Sequence, residues 1–197
     1  VESISLALST SIIEQILDIA YFIHQNYGHH LDIRPSKIFI VKSSFGPQFI
    51  KLDPIGRVDA EFHVKVEDAD TNLVSMYGTS YTAPEIFSGK YFGARSDVFS
   101  IGIIFYEMLA GIIPYPSEYL VNKIAPVAPP IKKIRPSLKI SKSLEKVIIK
   151  AIEWEPKRRF SDIRSFQNAM INARKSINLT KILLIASIFL LILFLGS

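Results

Sequence analysis

The segment from Ser96 to Gly111, SDVFSIGIIFYEMLAG, constrains the fold most strongly. Its apolar residues cover nearly every side of a helix. A Ser-Asp pair, typical of a helix N-terminus, opens the segment, and a glycine, typical of a helix C-terminus, closes it. A helix that is apolar on all sides must be buried. The sequence therefore predicts a domain built around one central helix.

The remaining patterns predict more helices and one small hairpin. Apolar residues recur at three- and four-residue steps from Ser9 to Tyr27, and again from Ser143 to Trp154 and from Ser161 to about Ser176. The runs KIFIV and QFIKL are β-branched and aromatic, and they flank a Gly46-Pro47 turn signal. We therefore predict an α+β fold that is mainly α, with a single β-hairpin.

Composition excludes several classes of site. The chain of 197 residues has no cysteine, so disulfides and thiolate metal sites are impossible. The net charge of +5 is spread over small clusters such as Lys132-Lys133, a pattern that argues against nucleic-acid binding. His24 and His29 have no partners at metal-ligand spacing and are interpreted as helix-end residues. We predict no metal site.

Five separated motifs, taken together, resemble the C-terminal lobe (C-lobe) of a protein kinase of the Ser/Thr type, in the same order and at similar spacings. They are HLDIRPSK (His30–Lys37), PIG (Pro54–Gly56), GTSYTAPE (Gly78–Glu85), the central segment from Ser96 to Tyr115, and EPKRRF (Glu155–Phe160). The resemblance implies a kinase-like C-lobe over residues 1–176.

Three residues match catalytic positions of that family. Asp32 matches the catalytic Asp that orients the substrate hydroxyl and accepts its proton. Arg34 stands where Ser/Thr kinases usually carry a Lys, and Thr79 matches the Thr that ties the substrate-binding loop to the catalytic Asp. Leu31 replaces the Arg that pairs with a phosphorylated activation loop in many kinases, so control through that contact is not expected.

The metal-binding positions depart from the family. Lys37 replaces the Asn that closes the catalytic loop, and Pro54 replaces the Asp of D-F-G, so both Mg²⁺ ligands are lost. Asp53 is one residue away and would serve only through a one-residue bulge, because adjacent side chains of a strand point to opposite faces. Lys37 either supplies the charge of the missing metal, or points to solvent or pairs with an acidic neighbour. The sequence leaves these alternatives open.

Five further positions match scaffold residues of the family. His30 is the core histidine of the catalytic loop, and Gly56 is the glycine of the degenerate D-F-G. Glu85 and Arg159 match a buried ion pair, and Asp97 matches the Asp that holds the catalytic-loop backbone. The resemblance thus implies that the scaffold residues of the family are retained, whereas its metal ligands are lost.

The end of the chain is a separate segment. Residues Ile182 to Gly196 carry no charge and would span about 22 Å as a helix, against about 30 Å for a bilayer core. Including the residues from 177 brings the length close to a full span, so we predict a transmembrane segment over 177–197. Arg174, Lys175 and Lys181 precede it, which places the kinase-like domain on the cytoplasmic side of a single-pass membrane protein.

These features predict a membrane-anchored, kinase-like signalling or interaction module that is catalytically silent and binds a protein partner or protein substrate. The Gly-rich loop and strand Lys of kinases have no counterpart here, so ATP with Mg²⁺ is expected only if an N-terminal lobe exists upstream. One alternative is a truncated active Ser/Thr kinase that transfers the ATP γ-phosphate to protein. The other is a structural remnant.

Overall fold

The central helix α3, Ala94–Ala110, is the core of the domain in the computed structural model, which describes residues 4–41, 49–53, 80–87, 93–116, 119 and 126–174. Thirteen of its 17 residues are buried, which confirms the predicted central helix. It begins two residues earlier than predicted, so Ser96 and Asp97 lie inside its first turn, where their side chains serve other segments. Gly111 ends it with a left-handed φ of 78°, and its N–H donates to the Glu107 carbonyl.

The helix α1, Leu6–Asn26, packs along α3 and against the hairpin. The Ser5 hydroxyl caps it by accepting from the Leu8 amide at 3.3 Å. In length and mean hydropathy α1 would suit a membrane crossing. Its apolar stripe, however, is buried inside the domain, as at Ile13, Ile16 and Leu17, so α1 is a core helix here.

The hairpin consists of β1, Ile38–Val41, and β2, Phe49–Leu52, paired antiparallel with Ile38 opposite Leu52. This pairing confirms the predicted hairpin, although the Gly46-Pro47 turn lies outside the described residues. Ile50 and Leu52 of β2 are buried, whereas Phe39, Ile40 and Phe49 stay about half exposed. The sheet therefore has one face on the core and leaves an apolar surface outside.

The second half of the chain adds helices around α3. They are α2 (Pro84–Phe87), α4 (Ile131–Ile134), α5 (Lys142–Ala151) and α6 (residues 163–174). The sequence patterns did not predict α2 or α4, which are single turns beside prolines. Asp162 caps α6 by accepting from the Ser165 amide at 2.6 Å.

The helix α5 ends at Ala151, three residues earlier than the predicted Trp154. The carbonyls of Glu153 and Trp154 accept hydrogen bonds from the Arg159 guanidinium at 2.6 and 2.9 Å. The carbonyls just beyond the end of the helix are thus bound by a side chain of the following turn. The domain is thus mostly helical with one two-stranded sheet, as predicted.

Gly102 provides the test of the α3–α5 packing. A Cβ at this position would lie 2.7 Å from the Ile152 Cγ2 atom and 2.9 Å from the Ala151 Cβ atom. We expect Gly102→Ala to lower the free energy of unfolding by about 1–3 kcal/mol, because the two helices must separate. Thermal and urea unfolding monitored by circular dichroism measure the change. Ser143→Ala on the exposed side of α5 is the control, and equal stability of both variants would contradict the close approach.

Candidate active site

The Asp97 carboxylate in the first turn of α3 organises the loop between α1 and β1. It is fully buried. Its Oδ2 atom accepts from the His30 amide and from His24 Nε2, both at 2.8 Å, and its Oδ1 atom accepts from the Leu31 amide at 2.8 Å. A buried carboxylate needs such donors, and hydrogen bonds to a charged acceptor are strong ones. Asp97 therefore ties the loop to the core helix.

Leu31 has a strained backbone conformation, and its hydrogen bond to Asp97 maintains that conformation. Its φ is +59°, and it is the only non-glycine residue with a positive φ in the part of the chain that the structure describes. The left-handed conformation costs about 1–2 kcal/mol for a residue with a Cβ. Because the Leu31 amide is bound by Asp97, the loop is kept in this conformation, and it sets the direction in which Asp32 leaves the backbone.

His30 connects the loop to the end of β2. Its side chain is buried; Nδ1 accepts from the Asp32 amide at 3.2 Å and Nε2 lies 2.7 Å from the Asp53 carbonyl. A neutral imidazole protonated on Nε2 satisfies both contacts. The ring thus fixes the backbone of Asp32 relative to that of Asp53.

Asp32 and Arg34 lie together at the surface of this loop. The Arg34 Nε atom is 3.2 Å from Asp32 Oδ1, an ionic contact without hydrogen-bond alignment. The Asp32 side chain is mostly covered and that of Arg34 is about one third exposed. A carboxylate that can accept a proton and a cation for a phosphate are therefore placed side by side.

Lys37 and Asp53 form an ion pair at the base of the hairpin, with 2.7 Å between Nζ and Oδ2. The β1–β2 register continues to this pair, because the Asp53 amide donates to the Lys37 carbonyl at 2.9 Å. Opposite residues of an antiparallel pair project to the same face, so the two side chains meet without a bulge. Of the alternatives for Lys37, the structure places it beside an acidic neighbour.

The two carboxylates of this site each contact a cationic side chain. Among the described residues, no group of three or more His, Asp and Glu side chains comes together as a metal site would require. The Asp53 carboxylate already faces an ammonium, and that of Asp32 already faces a guanidinium. Thr79, Pro54 and Gly56 lie outside the described residues, so their predicted roles stay predictions.

The segment of residues 80–87 is fastened to α3 by polar contacts. The Tyr81 hydroxyl donates to Glu107 Oε2 at 2.6 Å, and the Ser100 hydroxyl donates to the Tyr81 carbonyl at 2.8 Å. Burial and the Glu107 carboxylate raise the pKa of Tyr81. Because Tyr81 stays protonated, it remains a donor, and the segment keeps its position on the helix.

Glu85 and Arg159 form a buried, bidentate ion pair. Nη1 and Nη2 of Arg159 lie 2.7 and 2.8 Å from the two Glu85 oxygens. The Ser96 hydroxyl also donates to Glu85 at 2.7 Å, and the guanidinium lies over the Phe99 ring at 4.6 Å. This parallel geometry suits an Arg and not a Lys. The pair joins α2 to the turn before α6.

Sequence reasoning missed three of these contacts. His24 does lie in the last turn of α1, but its contact with Asp97 was not predicted. Ser96 was interpreted only as part of a helix start, and Glu107 was not singled out. His24 follows the buried Ile23 on α1. That position was the signal that could have indicated a polar partner inside the domain. The partners are more than ten residues apart, so spacing alone does not reveal them.

Comparisons with known proteins decide the family. The protein kinase domain model matches residues 2–172. The chain belongs to the protein kinase family. Among its relatives, serine/threonine-protein kinase Pkn1 of Myxococcus xanthus is 29% identical over 167 residues, covering 81% of this chain and 23% of that protein. Serine/threonine-protein kinase PrkC of Bacillus subtilis is 30% identical over 154 residues, covering 76% and 22%.

The kinase fold is also found among solved structures. The PknI kinase domain of Mycobacterium tuberculosis aligns with a TM-score of 0.61 at 22% identity. The alignment covers 87% of this chain and 57% of that domain. The chain spans less than a quarter of the length of the two curated kinases named above. Family membership and fold are therefore shown for a segment of kinase sequence.

The Glu85–Arg159 pair generates a stability prediction. Glu85→Gln leaves the Arg159 guanidinium buried without its countercharge, so we expect the free energy of unfolding to fall by about 3–5 kcal/mol. Chemical denaturation measures the change. Glu14→Gln is the matched control, because Glu14 pairs with Arg174 at the surface, and it should cost less than about 1 kcal/mol. A loss of similar size in both variants would contradict the role given to burial.

His29 generates a pH prediction. Burial lowers its pKa, and so does the neighbouring His24, whose ring centroid is 4.9 Å away, while Asp97 partly opposes them. The unfolded chain therefore binds a proton on His29 more readily than the folded chain. The resulting contribution to stability is present above pH 6.5 and is lost as the pH falls below about 6.5. Urea unfolding between pH 7.5 and about 5 should show this slope, and His29→Gln should reduce it. An unchanged slope in the variant would contradict the assignment.

Proposed function

We propose that this chain is a membrane-anchored C-lobe of a Ser/Thr-type protein kinase that binds a protein partner without transferring phosphate. Family membership supports the kinase origin. The scaffold contacts of Asp97 and of the Glu85–Arg159 pair support a folded module and argue against an unfolded remnant. The exposed apolar side chains of the hairpin, such as Phe39 and Ile40, support a protein partner.

The observation that carries the proposal is the Lys37–Asp53 ion pair. By resemblance, Lys37 stands where kinases place the Asn that binds Mg²⁺. Divalent cations prefer oxygen ligands, whereas this position holds an ammonium that neutralises the adjacent carboxylate. The residues do not fit a metal ion here, because its binding would require breaking the pair and would place two cations side by side.

The extent of the match supports the assignment to a C-lobe. The chain aligns with 57% of the PknI kinase domain, and its first motif is the catalytic loop that follows α1. The Gly-rich loop and strand Lys that kinases use for nucleotide have no counterpart in this sequence. A nucleotide bound to this segment alone would therefore lack the contacts that the Gly-rich loop and the strand Lys make with its phosphates.

The apolar residues from Ile182 to Gly196 support membrane anchoring. Their length with the preceding residues approaches a bilayer span, and the cations at 174, 175 and 181 favour a cytoplasmic domain. We propose a single span over 177–197. Carbonate extraction of the chain from membranes is the direct measurement of this anchor.

An active kinase is the alternative function, and the Asp32–Arg34 contact favours it. Both residues stand at positions that the family uses for phosphoryl transfer, and they lie within 3.2 Å of each other. In that case the full-length gene product would transfer the γ-phosphate with an unusual metal site. The two functions differ in whether phosphate is transferred from ATP to protein, which can be measured.

A radiolabelled ATP assay separates the silent module from the active kinase. We expect the full-length gene product, with Mg²⁺ or Mn²⁺, to give no more transfer to itself or to a general protein substrate than Asp32→Ala gives. The physical reason is the loss of both metal ligands. Transfer that Asp32→Ala abolishes would overturn the proposal.

A thermal-shift titration with ATP examines the role of Lys37 in the same preparations. ATP that binds the folded state raises the unfolding temperature as its concentration exceeds the Kd. We expect any shift to be independent of Mg²⁺ and to be reduced in Lys37→Asn. Stabilisation that requires Mg²⁺ would show that a metal site exists despite the ion pair.

A further inference from the structure

Six exposed lysines form a surface that the proposed function does not use. We call it the lysine face; it consists of Lys132, Lys133, Lys139, Lys142, Lys146 and Lys150. The first two belong to α4, the third lies in the connection, and the last three belong to α5. In the sequence these lysines looked dispersed, and the fold brings them onto neighbouring elements.

The charge of this segment dominates that of the chain. Residues 131–150 contain seven Lys or Arg and a single Glu. The resulting net charge of +6 exceeds the +5 of the whole chain, so all other residues together carry a net charge of −1. Positive charge is thus concentrated in one segment, while the rest of the chain is close to neutral. Such a concentration favours a partner of negative charge.

Packing does not account for two of the three lysines of α5. Lys142, Lys146 and Lys150 follow at four-residue steps and therefore share one side of the helix. The buried residues Leu144, Ile148 and Ala151 lie on the other side, and α5 packs on α3. The Lys150 ammonium lies over the Phe160 ring at 4.6 Å, so that lysine has a contact within the domain. Lys142 and Lys146 are exposed on the same side of the helix.

The one acidic residue of the segment is directed at the backbone. Glu145 Oε1 accepts from the Lys132 amide at 2.9 Å, in the first turn of α4. This bond joins α4 to α5, so their lysines belong to a continuous surface. The bond also places the Glu145 carboxylate at the N-terminus of α4, where negative charge is favourable.

Two contacts with the N-terminal part of the chain relate the lysine face to Arg174, which in sequence is three residues before the predicted membrane segment. Arg174, the last residue described, pairs with Glu14 of α1. Arg135, directly after α4, donates to the carbonyls of Ile4 and Leu109 at 3.3 and 3.2 Å. Ile4 precedes α1 and Glu14 is its ninth residue, so the two contacts are about 15 Å apart along the helix direction. Arg135 therefore lies beside the residues that precede α1, and Arg174 lies beside the middle of that helix.

We propose that the lysine face rests on the anionic phospholipid headgroups of the membrane in which the tail is anchored. This inference rests on the proposed function for the anchor. Clusters of four to eight cations beside a membrane segment bind anionic lipids, and the cytoplasmic leaflet carries such lipids. Residues 131–150 contain no aromatic side chain on which bases could stack, which disfavours single-stranded nucleic acid as the partner.

The first measurement is lysine labelling in the full chain, reconstituted into vesicles. One set is phosphatidylcholine alone, and the other contains about a third phosphatidylserine. A membrane-impermeant acylating reagent is applied, and modification is located by mass spectrometry. We expect several-fold slower labelling of Lys133, Lys142 and Lys146 in the anionic vesicles, unchanged labelling of Lys51 and Lys157, and loss of the difference at high salt.

The second measurement uses charge-reversal variants. The ratio of partition between anionic and neutral vesicles cancels the contribution of the tail. At about fivefold per lysine, K133E/K142E/K146E should lower this ratio on the order of a hundredfold. The control K51E/K157E/R158E changes the net charge equally at exposed positions outside the face and should lower it far less. Circular dichroism checks that both variants are folded.

The outcomes separate the face from the anchor. Equal labelling in both vesicle types, in a chain that resists carbonate extraction, would overturn the lysine face and leave the anchor standing. A chain that carbonate removes from neutral vesicles, while the anion-dependent partition persists, would support the face and remove the anchor. Protection of the same lysines by RNA or polyglutamate, but not by anionic vesicles, would also overturn the proposal.

Discussion

The attachment of the catalytic loop to the central helix through the Asp97 carboxylate is the constraint on which the rest of the site depends. One buried acid binds the side chain at the end of α1 and two backbone amides of the loop. It thereby holds Leu31 in a left-handed conformation that the residue would not adopt alone. The direction of Asp32 and the position of His30 follow from this anchor. Asp97 is therefore a positioning residue whose influence reaches the end of β2.

The buried scaffold contacts and the partly exposed residues around Lys37 differ in how strongly the fold constrains them. The buried Glu85–Arg159 pair and the contacts of residues 80–87 with α3 keep the framework of the domain. These contacts are sensitive to change, because a partner left alone in the interior is costly. The residues around Lys37 are partly exposed, and a substitution there costs little stability. The fold therefore tolerates substitutions around Lys37 more readily than at the Glu85–Arg159 pair.

The sequence predicted the features that depend on local patterns. The all-round apolar character of α3 and the three- and four-residue spacing in α1 predicted burial. Two β-branched and aromatic runs that flank a Gly-Pro turn signal predicted the hairpin. What it could not provide was the pairing of distant groups: His24 with Asp97, Lys37 with Asp53, and the lysines of α4 with those of α5. The single-turn helix α4 was missed because its four residues are too short for a period and lie between prolines. The helix α5 ends earlier than predicted, and the carbonyls of Glu153 and Trp154, just beyond its end, accept from the Arg159 side chain, a contact that apolar spacing does not reveal.

The ammonium of Lys37 differs from a metal ion in one further respect: it belongs to the chain. A divalent cation exchanges with the medium, so a site that needs one responds to ion and nucleotide concentrations in the cell. A covalently attached cation is present at a fixed ratio of one to one and never leaves. The pairing of Asp53 with a cation at the base of the hairpin is thus independent of the supply of metal.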